Sequence, residues 1–125
     1  MERRRILLVE DSPTMRKLIT LALGRRKDVE IVEAADGVDG LRKLTSDGAF
    51  HLAIVDINMP VMNGIQLIEL ARAEQKLKDL PILVITTEGA DEDRKRALAA
   101  GANGYLTKPV EPSKVNEAVK KLLPA

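Results

Sequence analysis

Five short apolar runs, separated by longer stretches of helical periodicity, constrain this chain more than any other feature. The runs are ILLV at 6–9, VEIVEA at 29–34, LAIV at 52–55, PILVIT at 81–86 and YLT at 105–107. Short runs of this kind, bounded by turn residues, read as strands. Between them, apolar residues recur at three- and four-residue spacing. Met15, Leu18, Ile19 and Ala22 form one stripe, and Val38, Leu41 and Leu44 a second. Leu67, Ile68 and Ala71 form a third, and Val115, Ala118, Val119 and Leu122 the last. Each stripe is one face of a helix. The stretch 91–100 is charged in its first half and alanine-rich in its second, which makes it the weakest amphipath. Strand–helix alternation repeated in this way predicts an α/β fold: a doubly wound parallel sheet of five strands, with five helices on its two faces.

The joints carry their own signals. Ser12-Pro13 pairs an N-cap hydroxyl with a proline in the first helical turn. Asp36 is placed to cap the second helix. Asp91, Glu92 and Asp93 put negative charge at the electropositive start of the fourth. Gly101 is placed to end that helix in the left-handed conformation. Glu111-Pro112 opens the last helix as Ser12-Pro13 opens the first. No repeat, low-complexity segment or linker interrupts the pattern, so residues 1–125 are expected to form one domain. At this length about two-thirds of the unfolded chain's surface is buried on folding.

Strand order follows in part. Strands one, three and four are continuously apolar, as strands covered on both faces are. Strand two is broken by Glu30 and Glu33, and strand five is short, so both belong at edges. Right-handed crossovers with a reversal between strands one and three satisfy the order 2-1-3-4-5. Other orders with the same edges stay open on the pattern alone.

Composition closes off several classes of function. The formal net charge is +1, so no charge excess points to direct DNA binding. There are no cysteines, which excludes disulfides, thiol catalysis and thiolate metal sites. The basic start MERRR leads into only the apolar run 6–9, short of the roughly 7–15 residues of a signal peptide. No segment approaches the roughly 20 apolar residues of a membrane span, so no membrane insertion is expected. The expected location is the cytoplasm.

In parallel sheets of this type, ligands bind beyond the carboxyl ends of the strands, near the reversal. Strand one ends in Glu10-Asp11, strand three at Asp56 and strand four at Thr86-Thr87. Strand five leads to Lys108-Pro109. Three carboxylates gathered on one rim repel each other unless a cation neutralises them. Oxygen ligands with no histidine or thiolate select magnesium or another hard divalent ion such as manganese. Magnesium prefers a few carboxylates together with phosphate oxygens. Lys108 supplies the charge a phosphoryl oxygen would meet, and Thr86 a hydroxyl. An aspartate beside a cation can act as a nucleophile and take a phosphoryl group as an acyl phosphate. Each residue also has an ordinary role: Glu-Asp as a helix-entry cap, a lone aspartate or Lys-Pro as turn chemistry. Convergence of all of them is what favours a site.

The acidic pair in LLVEDS, the aspartate in IVDINMPVMNG, the threonine in ILVITTE and the lysine in GYLTKP occur in this order across essentially the whole chain. In this the sequence resembles the receiver domain of two-component response regulators, and in particular the stand-alone chemotaxis type. The resemblance implies a flavodoxin-like sheet in the order 2-1-3-4-5. It implies that Asp56 accepts a phosphoryl group from a sensor histidine kinase or phosphotransfer protein. Asp11, Glu10, Asp56 and the backbone carbonyl of Asn58 would hold Mg2+ or Mn2+. Lys108 would pair with the phosphoryl group, Thr86 would move toward it, and Tyr105 would turn inward. The side chains of Asn58 and Glu88 would modulate dephosphorylation. The family's Lys-Pro peptide, here Lys108-Pro109, is often cis. Output would be a protein target bound on the face made by the fourth helix, fifth strand and fifth helix, since no effector domain follows Leu123-Pro124-Ala125. Such a protein is not an enzyme acting on a separate substrate; it catalyses only its own phosphorylation and dephosphorylation.

Departures from the family pattern are small. Thr87 stands where alanine is frequent, Val110 where an aromatic is frequent, and Asn63 where aspartate is frequent. Arg3, Arg4 and Arg5, like Arg94, Lys95 and Arg96, read as solvated basic stretches, and His51 as structural. Two rival readings are weaker, and a third, a designed or divergent receiver that keeps the motif but has lost signalling, stays open on the sequence. A magnesium-dependent phosphohydrolase needs a second carboxylate where Asn58 stands, and a cap. A flavodoxin-like cofactor binder needs an anion-attracting loop where EDSPTMR is acidic.

Overall fold

Side chains of the three central strands divide between two cores, one on each face of the sheet. Ile6, Leu8, Leu52, Ile54, Leu83 and Ile85 enter one core. Leu7, Val9, Ala53, Val55, Ile82 and Val84 enter the other. Successive residues of a strand point to opposite faces, so a strand covered on both sides has no position for a polar residue. This is why the three runs are uninterrupted.

The computed structural model describes residues 3–46, 48–87 and 89–123. In chain order the elements are β1 (Arg4–Val9), α1 (Pro13–Leu23), β2 (Val29–Ala34), α2 (Gly37–Ser46), β3 (Leu52–Asp56), α3 (Gly64–Arg72), β4 (Ile82–Thr86), α4 (Asp91–Ala100), β5 (Gly104–Thr107) and α5 (Pro112–Leu122). A 3-10 turn at Gln75–Leu77, not anticipated from the sequence, follows α3 and buries Leu77. The sheet is parallel, in the order β2-β1-β3-β4-β5. It is the flavodoxin-like arrangement expected, with β2 and β5 at the edges. Helices α1 and α5 pack together on one face, and α2, α3 and α4 follow one another across the other. No helix among the described residues is long and apolar enough to cross a membrane.

Most joints form as their chemistry predicts. The Ser12 hydroxyl accepts from the Met15 N–H, with Pro13 in the first turn of α1. Asp36 Oδ1 accepts from the Asp39 N–H at 2.7 Å, capping α2. Gly101 ends α4 at a φ of 124°, and the Ala102 N–H returns to the Ala97 carbonyl at 3.0 Å.

Three readings need correction. Val38 faces solvent, 54% exposed, although it falls on the predicted stripe of α2. The buried face of that helix is Gly37, Gly40 and Leu44. A Cβ at Gly40 would stand 2.8 Å from Val9 Cγ2, so the helix lies against β1 too closely for any side chain there. Hydrophobic periodicity cannot register a contact made by glycine. Arg4 and Arg5 are not a solvated tail but part of β1. Arg5 stacks 4.3 Å over the Phe50 ring and pairs with Glu30 at 3.6 Å. Arg94 is half-buried, while Lys95 and Arg96 are exposed as expected. His51 is structural: its Nδ1 accepts the Arg5 N–H at 2.9 Å.

Candidate functional site

Sheet register assembles the rim. Val9 lies opposite Val55 at the ends of β1 and β3. The next residues outward, Glu10 and Asp56, therefore emerge side by side, and Asp11 follows. Carboxylate oxygens of Glu10, Asp11 and Asp56 lie within 4.8 Å of one another. Glu10 and Asp56 are buried and Asp11 is exposed. Thr86 lies opposite Thr107 at the ends of β4 and β5, so Lys108 leaves the sheet toward the same rim.

Asp56 is fully hydrogen-bonded in spite of its burial. Its Oδ1 accepts the Asn58 N–H at 3.1 Å, and its Oδ2 accepts from Lys108 Nζ at 3.2 Å. A buried carboxylate must be paired in this way to remain charged. Glu10 is less well served. Its Oε2 accepts the Ser12 N–H at 3.1 Å, but no donor among the described residues reaches the buried Oε1. Burial, followed by the adjacent Asp56, pushes the Glu10 carboxyl up to about 8 from an ordinary 4.5. An orphaned, buried oxygen among three carboxylates is a place for a hard cation. The donor set therefore fits magnesium.

The loop after β3 is held tightly. A Cβ on Gly64 would lie 2.5 Å from the Asp56 carbonyl oxygen and 2.8 Å from Ile57 Cα. The Gly64 N–H donates to the Ile57 carbonyl at 2.9 Å. Asn63 and Gln66 form a reciprocal capping box that starts α3 beneath the loop. The Asn-x-x-Gln spacing of such a cap is visible in the sequence at Asn63 and Gln66. Val61, at the outermost point of the loop, is 94% exposed with a φ of 67°.

The remaining predicted residues split into two groups. Thr86 is buried at the end of β4 and its hydroxyl donates to the Leu106 carbonyl at 3.4 Å. Asn58 is exposed beside the site, and its amide donates to the Thr87 hydroxyl at 2.9 Å. The Lys108-Pro109 peptide is cis. Tyr105 does not reach the rim; it lies outward on β5, 43% exposed. Glu88 lies outside the described residues. Arg16 was missed from the sequence: its Nη1 donates to the Glu10 carbonyl at 2.7 Å, from six residues on. Nothing in its spacing distinguishes it from a solvated helix residue.

A family model for the response regulator receiver domain matches residues 6–120. The chain belongs to the response regulator receiver family. Among curated receivers, it is 40% identical over 119 residues to a chemotaxis protein CheY homolog of Campylobacter jejuni, covering 95% of this chain and 92% of that protein. It is 39% identical to chemotaxis protein CheY1 of Helicobacter pylori, covering 95% and 96%. Among solved receivers, chemotaxis protein CheY4 of Vibrio cholerae superposes with a TM-score of 0.89 at 33% identity, covering 97% of this chain and 99% of that one. The receiver domain of a Pseudomonas aeruginosa sensor histidine kinase superposes with a TM-score of 0.86 at 28% identity, covering 96% and 97%. That structure has a magnesium ion coordinated in its active-site cleft. This receiver is thus CheY-like, a signalling protein of the two-component type rather than a classical enzyme.

Proposed function

We propose that this receiver takes a phosphoryl group on Asp56 from a phosphohistidine of a sensor kinase or phosphotransfer protein. The observation that carries the reading is the state of Asp56: buried, oriented by the Asn58 N–H and Lys108, and beside two further carboxylates. Glu10, Asp11, Asp56 and the Asn58 carbonyl are the groups that would hold magnesium. A bound magnesium ion neutralises charge on the transferring group.

The chain's own residues do the rest. An Asp56 carboxylate oxygen attacks phosphorus as the phosphorus–nitrogen bond of the donor breaks, giving an acyl phosphate. The Asn58 N–H fixes the rotamer of the nucleophile. Lys108, now at Asp56 Oδ2, moves its bond to a phosphoryl oxygen. The new group adds roughly one to two negative charges at the rim. Thr86 exchanges its long bond to the Leu106 carbonyl for one to the phosphoryl group, and Tyr105 turns into the space left. Asn58, tied to Thr87 beside the site, sets the lifetime by controlling the approach of a hydrolytic water, and the Glu88 side chain is assigned the same modulating role from its place in the sequence. The outcome is a population shift at the surface of α4, β5 and α5, read by a protein target. A groove of about 400 Å³ on that surface, lined by Tyr105, Leu106, Lys114 and Lys121 among others, supports this choice of face.

Incubation with magnesium and a small acyl phosphate, followed by intact mass measurement, tests the assignment. One added phosphoryl mass is expected, lost in Asp56→Asn and in excess chelator. Wild-type protein that gains no mass under rapid detection would overturn the reading.

A further inference from the structure

The Arg94 guanidinium lies over the Tyr105 ring, 4.7 Å from its centroid. The same group donates from Nη2 to Asp91 Oδ1 at 2.8 Å. Asp91 and Arg94 stand three residues apart in the first turn of α4, so the carboxylate steers the guanidinium from its own helix. Tyr105 belongs to β5. The outward position of the ring is therefore fixed by a contact between the two elements whose surface is to change.

Resting on the phosphoacceptor reading above, we propose that Arg94 is a latch. It holds Tyr105 outward in the unphosphorylated protein, and Asp91 aims it. The reasoning concerns a difference between states. Cation–π attraction falls away within a few ångströms of the ring, so an inward Tyr105 forfeits it. A contact made in one state only weights the equilibrium toward that state. At a half-exposed site this attraction corresponds to about two- to fivefold in population. Reciprocity then requires that anything favouring the inward ring bind more tightly once the latch is removed. Arg94 acts through Tyr105 and touches no phosphoryl group, so it is a positioning residue.

The chain has one tyrosine and no tryptophan, so tyrosine fluorescence reports this ring alone. Acrylamide quenching and side-chain NMR would be measured for wild type, Arg94→Met, Arg94→Lys and Asp91→Asn, all checked as folded by circular dichroism. With no phosphoryl mimic present, Arg94→Met should raise the inward population about two- to fivefold and lower quenching. Arg94→Lys, which keeps a cation, should lie nearer wild type, and Asp91→Asn between. Magnesium with beryllium fluoride, a stable phosphoryl mimic, should bind Arg94→Met tighter by the same factor. Methionine and lysine variants that behave alike, or a methionine variant indistinguishable from wild type, would overturn the latch. If Arg94→Met shifts the resting ring but beryllium fluoride never moves it in wild type, the latch contact is supported and the switch reading fails.

Discussion

The two halves of the rim are built differently. Around β1 and β3, backbone does most of the fixing: Glu10 and Asp56 emerge in register, and the loop to α3 has no room beyond a glycine hydrogen at position 64. Around β4, α4 and β5, a few side chains do the holding. Thr86 has one long hydrogen bond, and α4 starts at Ala90 with no side-chain cap. The far end of α4 is clamped instead. Arg72 donates from Nε and Nη2 to the Gly101 carbonyl at 3.2 and 2.7 Å, and from Nη1 to the Leu77 carbonyl at 2.6 Å. Its Nη2 also reaches Asn103 Oδ1, which accepts the Ile82 N–H at 2.9 Å. The comparison teaches that the nucleophile and its neighbouring carboxylates sit on the rigid half, while the loose half carries the switch residues and lends Lys108 to the site. One end of α4 is thus clamped by Arg72, and the other is held to β5 through Arg94.

The largest effect should come from adding a methyl group to the rigid half. Gly64→Ala must displace backbone at Asp56 and Ile57, costing roughly 3 kcal/mol or more of stability in urea unfolding. Asp56 phosphorylation should slow with it, because the nucleophile is no longer aimed. Stability loss without any effect on phosphorylation would mean that the loop does not position Asp56.

The next effect is a pH dependence. Glu10 holds its proton in the folded protein to about 8, whereas the unfolded chain releases it near 4.5. Its contribution to stability is therefore complete below about 4.5, falls as pH rises, and is gone above about 8. In chelator, Tm should drop by several degrees across that window. Magnesium should restore it at the alkaline end, and Glu10→Gln should flatten the profile. A flat wild-type curve would remove the case for charge frustration at this position.

Two substitutions probe the ends of α4. Arg72→Met strips donors from the Gly101 and Leu77 carbonyls and should cost about 2 kcal/mol. Hydrogen exchange should quicken at the C-terminal turn of α4 and at the start of β5. Ala90→Ser supplies the missing cap and should stabilise by up to about 1 kcal/mol. Exchange should slow only in the first turn of α4. If both variants altered exchange along the whole helix equally, α4 would move as one body rather than from a fixed end.

Much of this was legible in the sequence. Uninterrupted apolar runs can be satisfied only by a sheet covered on both faces, and the residue ending each run then has to reach one rim. Strand order at the edges, the caps at Ser12, Asp36 and Gly101, and the meeting of Glu10, Asp11, Asp56, Thr86 and Lys108 all follow from that. They rest on local propensity and on period, which a sequence displays directly. What only the tertiary structure decided is contact at a distance. Exposure of Val38 follows from glycine packing on β1. Arg72 bonds to the Gly101 carbonyl 29 residues away, and Arg94, one of three adjacent basic residues, alone lies over the ring of Tyr105. Glycine contacts and long polar side chains carry no periodic signal. Their partners are chosen by the packing of whole elements, and that choice is made only when the chain folds.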